Sequence, residues 1–253
     1  MRAELERSRA EVTIVSRMGL DLSRWDIRHS HAGVSLRSGT ESPWSVRQLY
    51  YACDEQMPRI FDQGLAAFLF GAERPDLGHI SVVMLPGEGE PVRRAALDNR
   101  LALALLGGRY SANAYAFSTR YQNCNQWLVE LLAAAWGGIA ADADARERTQ
   151  SWLAEQRYEP TRVEVGWRPV MWAGATFSPW LHNDDHPDED LAAAIYRISL
   201  PAAVEGLVRA HVPGAERIQF CHTAQHVLVR RGWGPSLPES CVAEGGDEVV
   251  GLE

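Results

Sequence analysis

The sequence predicts an α+β protein with a mainly antiparallel sheet. Three observations carry this reading: a strand–turn–strand pattern over residues 29–51, a near-continuous apolar run over residues 79–85, and apolar-periodic runs that stop at Gly107-Gly108 and Gly137-Gly138. Alternation with a period of two marks strands, and glycine pairs close helices.

From the N-terminus, the segment to about Ala10 reads as helix and residues 11–16 as a short strand. Leu22-Ser23-Arg24-Trp25 leads into a strand over residues 29–37 in which small and apolar residues alternate, and Ser38-Gly39-Thr40 is a turn. The next strand covers residues 44–51, with Trp44, Val46 and Gln48 on one face and Ser45, Arg47 and Leu49 on the other. The two strands read as a hairpin, with Pro43 limiting the start of the second. Residues 59–70 read as an amphipathic helix stopped by Gly71, residues 79–85 as a buried strand, and residues 92–106 as a helix.

Residues 110–123 form a long polar-aromatic stretch without a period, and loops of that length are often functional. A helix starting at Cys124 follows, and another over residues 142–158 capped by aspartates. Short strands are expected at residues 162–165, 195–198, 217–221 and 225–230, with a helix over residues 202–211. The chain reads as one domain over residues 1–234 with an N-terminal helical extension. An acidic, glycine-rich tail over residues 235–253 is expected to be loose.

Composition narrows the function classes. A 46% hydrophobic content and nine tryptophans among 253 residues mark a packed globular chain. Asp+Glu outnumber Lys+Arg by 33 to 25, and the positive residues are nearly all scattered arginines, so nucleic acid is not an expected partner. No apolar run reaches the length of about 18 residues that a transmembrane segment needs. Met1-Arg2-Ala3-Glu4 reads as a charged helix start, not as the apolar part of a signal peptide. Cys53, Cys124, Cys221 and Cys241 are too few for a disulfide scaffold and lack the spacing of a structural zinc site. If Cys124 is a nucleophile, three cysteines remain, and an odd number cannot all pair. No cofactor is expected.

Cys124 is the focus of the chemistry. It stands in Tyr121-Gln122-Asn123-Cys124-Asn125-Gln126-Trp127, directly before the apolar run Leu128-Val129-Glu130-Leu131-Leu132. This places the thiol at a helix N-terminus, where backbone N–H groups and the positive end of the dipole favour thiolate over the free pKa of about 8.5. A base is available in His31, on a strand beside the small residues Ala32 and Gly33. Gln48 on the next strand is the candidate to orient the imidazole, and an ordinary surface position is its bland alternative. In the loop, Tyr110, Asn113 and Tyr115 are candidates to help the Cys124 N–H hold an oxyanion. Turn-forming and capping roles are the plain alternative for Asn113 and Asn123. Tyr121 and Asn125 flank the cysteine and are assigned to substrate. Trp127 lies on the same helix face, as core and as a wall beside the thiol.

Several blocks carry a resemblance. Ser30-His31-Ala32-Gly33, Trp44-Ser45-Val46-Arg47-Gln48-Leu49 and Phe61-Asp62-Gln63-Gly64-Leu65 resemble the start of an uncharacterised bacterial family, domain of unknown function 2145. Ser118 to Trp127 resembles its most distinctive segment, and His182-Asn183-Asp184-Asp185-His186-Pro187 its C-terminal block. A histidine strand followed by an Asn-Cys helix is further similar to the circularly permuted branch of the NlpC-type papain-like hydrolases, which includes the lecithin retinol acyltransferase-like proteins. That resemblance implies a papain-like fold with the cysteine helix packed on the sheet and histidine before cysteine in the chain. It also implies Cys124 as nucleophile, His31 as base, and an amide or ester bond in cell-envelope peptides or lipids as target. Members of the first family usually look exported, which implies a periplasmic or secreted location, with the cytoplasm as the alternative.

The acidic-histidine block is open to other readings. His182 or Asp185 can fold over the cysteine and recognise substrate. His182, Asp185 and His186 can also bind a divalent metal if helical, although Pro187 opposes a helix there. The plain alternative is an acidic loop running into a helix, with Asp188 and Glu189 matching the dipole. Three function classes follow: a thiol hydrolase or acyl transferase on a small-molecule, peptide or lipid substrate; a non-catalytic module binding a ligand on the 110–121 loop; and a metal-dependent hydrolase.

Overall fold

Val12–Arg17 (β1) and Gly78–Leu85 (β5) run side by side in the middle of the main sheet, and Val12, Ile14, Val15 and all of residues 82–85 are buried. Strands apolar on both faces belong in such a covered position. The computed structural model describes residues 1–8, 10–37, 44–70, 78–87 and 89–252. In chain order the remaining elements are α1 (Arg2–Ser8), β2 (His31–Arg37), β3 (Trp44–Ala52), β4 (Met57–Gly64), α2 (Leu65–Leu69), α3 (Gly89–Leu97), α4 (Asn99–Ala104), α5 (Cys124–Gly137) and α6 (Ala145–Glu155). They continue with β6 (Thr161–Glu164), α7 (Arg168–Phe177), α8 (Asp188–Ala192), β7 (Ile195–Ile198), α9 (Pro201–His211), β8 (Glu216–His222), β9 (His226–Arg231) and β10 (Glu248–Gly251).

The protein is α+β with a large antiparallel sheet. Its eight strands run β10-β9-β8-β5-β1-β2-β3-β4. Two compact units divide the chain: Met1–Arg47, Asp62–Arg93 and Val208–Glu253 form the first, and Gln48–Phe61 with Arg94–Leu207 the second.

In the first unit the register pairs Val15 with Gly33 on one side and Val82 on the other. Period-two geometry then gathers Val15, Val82, Met84, Ile218, Phe220 and Val229 into one core, capped by Leu5 from α1 and by Phe68 from α2. Each such side chain contributes about 1.5–3 kcal/mol through burial. Cys221 in β8 is disulfide-bonded to Cys241, with Cα atoms 5.6 Å apart. The tail expected to be loose is tied down further: β10 pairs with β9, and Arg230 grips Asp247 through two bonds of 2.7 and 2.8 Å.

In the second unit α5 packs on α6, while β6 and β7 form a separate antiparallel pair. Gly138 ends α5 in the left-handed region at φ 62°, where a glycine carries no steric penalty.

Most expected elements form close to their expected bounds. Residues 59–70 depart most: they give strand β4 and then the short α2. Cross-strand partners decide this, because Arg47 holds Asp62 bidentately at 2.7 and 2.6 Å and Tyr50 lies against Phe61 at 6.0 Å. The helix expected over residues 92–106 is broken into α3 and α4 at Asp98, whose carboxylate accepts from Arg100 N and Leu101 N and caps a new start. Helix α7 and strand β10 form where the sequence pattern predicts no element, while α8 starts at Asp188, where the acidic loop is expected to run into a helix. The turn at Ser38-Gly39-Thr40, Pro43 and the stop at Gly71 lie outside the described residues.

The disulfide joins residues 20 apart, so reduction in metal-free buffer is expected to lower stability by about 3 kcal/mol through loop-closure entropy. Urea denaturation with and without a dithiol checks this; coincident curves would show that the bond does not constrain the unfolded chain.

Candidate functional site

Helix α5 starts at Cys124 because Asn123 caps it. Asn123 Oδ1 accepts the Gln126 N–H at 2.7 Å, with the Asn123 backbone extended. The Asn123 amide donates to the carbonyls of Ser199 at 3.3 Å and Ala112 at 3.5 Å, fixing the cap to its surroundings. Between residues 121 and 134 every residue is buried except Cys124, which is partly exposed. The thiol is thus the one open position on an otherwise enclosed stretch.

Beneath that opening lies a buried charge network. Glu130, fully buried in α5, receives Arg146 of α6 bidentately at 2.9 and 3.0 Å, Gln122 at 2.5 Å and Gln150 at 3.2 Å. Burial pushes the Glu130 carboxyl upward, and Arg146 and the two amides oppose that shift. Arg146 also donates to the carbonyls of Thr119 and Tyr121 at 2.8 and 3.1 Å, while the Gln122 amide spans Leu105 O and Gly107 N at 2.8 Å each. The end of the loop that leads into Cys124 is therefore fastened to α5 and α6. Sequence reasoning missed Glu130, Arg146, Gln122 and Gln150. The available signal was Glu130 itself, a lone charge inside the apolar run after Cys124.

The loop residues named from sequence fall into two groups. Tyr110 stands by the cysteine: burial pushes its hydroxyl upward, and negative charge at Cys124, Cys53 and Tyr51 adds to the shift. Its ring lies 4.7 Å from that of Tyr51. The others knit the loop to the acidic-histidine block. Asn113 Nδ2 donates to His182 O at 2.8 Å, and Asn113 Oδ1 accepts from Ser111 Oγ at 2.7 Å and His182 N at 3.0 Å. Tyr115 N donates to Asp185 Oδ2 at 3.0 Å. Tyr121 stacks on His182 at 4.4 Å and 5°, and its hydroxyl donates to Asp184 at 3.3 Å. Asn113 is thereby occupied in holding the loop. Asn125 and Trp127 are buried, and Trp127 Nε1 donates to Ala102 O at 3.2 Å, a core position.

His182, Asp185 and His186 do not gather around a common point. His186 Nε2–H donates to Asn113 O at 2.7 Å with Asp185 Oδ1 3.6 Å away. Burial raises the Asp185 carboxyl and lowers the His186 imidazole, so the pair favours its neutral forms. The segment has no helix before α8, which begins at Asp188 with three acids in its first turn. This corrects the metal-site alternative: among the described residues, the one group of three or more such donors that could share an ion is His79, Cys221 and Cys241.

His31 belongs to the first unit, as the first residue of β2, paired in register with Arg17 and with its ring 5.6 Å from Phe68. Gln48 in β3 is buried at 2% exposure, which corrects the expectation of an ordinary surface polar residue.

An α+β chain with a capped, partly open cysteine at a helix start is the class that fold and site define. The chain belongs to the family described as "Uncharacterized protein conserved in bacteria (DUF2145)", which matches residues 4–208. No curated protein and no solved structure matches it. Among the described residues no helix is long and apolar enough to cross a membrane.

Arg146→Ala leaves Glu130 buried and uncompensated and is expected to cost about 3–5 kcal/mol, read from denaturant midpoints. Asn123→Ala removes the cap and is expected to cost about 1 kcal/mol, with Asn123→Ser largely restoring it. Equal stability of Asn123→Ala and wild type would show that the cap contributes nothing.

Proposed function

We propose that this chain is a cysteine-dependent acyl hydrolase or acyltransferase of papain-like type, with Cys124 as nucleophile. One observation carries the reading: a single partly exposed thiol opens an otherwise buried helix start whose cap and preceding loop are held rigidly. A site held by such supporting contacts keeps the nucleophile in one geometry. The resemblance to the circularly permuted papain-like hydrolases supplies His31 as the base.

In this mechanism His31 takes the thiol proton and the Cys124 sulfur attacks the carbonyl carbon of an amide or ester. The Cys124 N–H at the start of α5 steadies the resulting oxyanion, with Tyr110 beside it. The carbon–nitrogen or carbon–oxygen bond then breaks, and the amine or alcohol leaves with the proton from His31. Water or an amine, deprotonated by His31, attacks the thioester and frees the sulfur.

Substrate class is argued from α7 and its flanks. Trp167, Val170, Trp172, Phe177 and Trp180 are all exposed, Phe177 at 86%. Arg168 is the sole formal charge among residues 165–183. Exposed tryptophan and phenylalanine in a segment of low charge suit the boundary between lipid headgroups and acyl chains. Trp180 O accepts the Ala112 N–H at 2.8 Å, joining this aromatic segment to the loop ahead of Cys124. We therefore assign the acyl group to a lipid or a lipid-linked peptide of the cell envelope. The Cys221–Cys241 disulfide supports an exported location, since such bonds persist in oxidising compartments.

Iodoacetamide labelling at Cys124, located by mass spectrometry across pH, tests the nucleophile. Rapid labelling that inflects well below about pH 8.5, and shifts upward in His31→Ala, is expected. Slow labelling indifferent to His31 would overturn the reading. Co-sedimentation with phosphatidylglycerol–phosphatidylethanolamine vesicles tests the substrate class. Binding is expected to fall severalfold in Trp172→Ala/Phe177→Ala, and a wild type that stays in the supernatant would refute the lipid assignment.

A further inference from the structure

The Cys221–Cys241 disulfide lies among histidines. His79 and Cys221 are direct cross-strand partners in β5 and β8, so their side chains share one face by register. His79 Nε2 lies 3.3 Å from Cys221 Sγ and 3.4 Å from Glu239 O. His226 Nε2 donates to Cys241 O at 3.1 Å, and the Cys241 sulfur approaches His222 O at 3.8 Å. The His222 imidazole fills the space where Gly78 has no side chain. The His29 ring stands edge-on to that of His79 at 6.4 Å, with its Nε2 buried and without a hydrogen-bond partner. A bare disulfide among Leu228 and Leu237 needs none of these nitrogens.

We propose that Cys221, Cys241 and His79 form a redox-gated binding site for a thiophilic d10 metal ion, Zn2+ or Cu+. Their three donor atoms lie within 4.8 Å of one another, and all three residues are buried. A tetrahedral ion with sulfur bonds of about 2.3 Å and nitrogen bonds of about 2.0–2.1 Å sets ligand separations near 3.5–3.7 Å. His79 and Cys221, at 3.3 Å, need to separate by only a few tenths of an ångström, and the larger movement is the parting of the two sulfurs. Cys221 is fixed in β8, so Cys241 moves. It lies in the coil before β10 and holds a left-handed backbone at φ 50°, a strained conformation for a residue with a Cβ. Releasing it is therefore not opposed by regular structure.

The cycle balances. A dithiol reductant gives two electrons and two protons to the sulfur–sulfur bond, becomes a disulfide itself and leaves Cys221 and Cys241 as thiols. The ion displaces the two thiol protons and bonds both sulfurs. His79 binds through Nε2 with its ring proton on Nδ1. Two thiolates and an imidazole are a soft donor set, suited to Zn2+ and Cu+ over Mg2+ or Ca2+.

The test uses the full chain carrying Cys53→Ser and Cys124→Ser, so that only the two cysteines in question remain. Oxidised and dithiol-reduced forms are titrated with Zn2+ against a chromophoric chelator. The reduced form is expected to bind one equivalent, the oxidised form none, and His79→Ala to bind at least about tenfold more weakly. X-ray absorption of the zinc-loaded reduced parent, which needs no folded His79 variant, is expected to show two sulfurs near 2.3 Å and at least one nitrogen near 2.0–2.1 Å. Absence of binding in the reduced form, equal binding in the oxidised form, or a zinc shell without sulfur would each overturn the proposal.

Discussion

The buried pair between Glu130 and Arg146 is the constraint on which the candidate site rests. A carboxylate with no exposure is costly to hold inside a protein unless its lone pairs are met, and here four donors from three side chains meet them. The same guanidinium reaches two carbonyls of the loop ahead of Cys124. One charge thus does two jobs: it satisfies the helix interior and fixes the path of the chain into the helix start. An apolar pair of similar volume would fill the space equally well but leave Thr119 O and Tyr121 O without their donor. We read the pair as retained for position more than for stability.

That constraint explains why the loop is rigid without regular structure. Residues 110–123 have no repeating hydrogen-bond pattern, yet their polar groups are tied to α5, to α6 and to the acidic-histidine block. Asn113 alone holds both sides of the contact with His182. The aromatic side chains follow the same rule: Tyr121 is clasped between His182 on its face and Arg109 and Arg120 at 4.7 and 5.7 Å. A loop so engaged offers few side chains to a ligand of its own, which favours its reading as a scaffold for the thiol over that of a binding surface.

Periodicity and caps made much of the fold legible. The β1, β2, β3 and β5 strands, the start of α5 at Cys124 and its stop at Gly138 are written in alternation, in Asn123 and in glycine. What escaped has a common cause, since it depends on partners distant in sequence. Residues 59–70 look helical in isolation, but their first part joins strand β4 because Arg47 and Tyr50 wait across the hairpin. The tail looks disordered by composition, yet Arg230 and Cys221 hold it from β9 and β8. Within the site, the helix start and its cap are legible in the local sequence, and the partial exposure of Cys124 is not. The network under them is not legible either, because Gln122, Glu130, Arg146 and Gln150 meet only after α5 and α6 pack.

The four cysteines show how environment, more than residue type, sets thiol chemistry. Cys221 and Cys241 are buried, joined to each other and surrounded by leucine and histidine. Cys53 is exposed in the turn between β3 and β4, with its sulfur 4.0 Å from Tyr51 O and no helix start to polarise it. Cys124 is less exposed than Cys53, yet it sits at a capped helix start, where a helix concentrates positive potential. Exposure by itself would rank Cys53 as the more reactive thiol, and the function proposed for Cys124 requires the helix start to outweigh exposure. A thiolate, not a thiol, is the nucleophile. Cys53 thus serves as the internal reference against which any special reactivity at Cys124 is judged within the same chain.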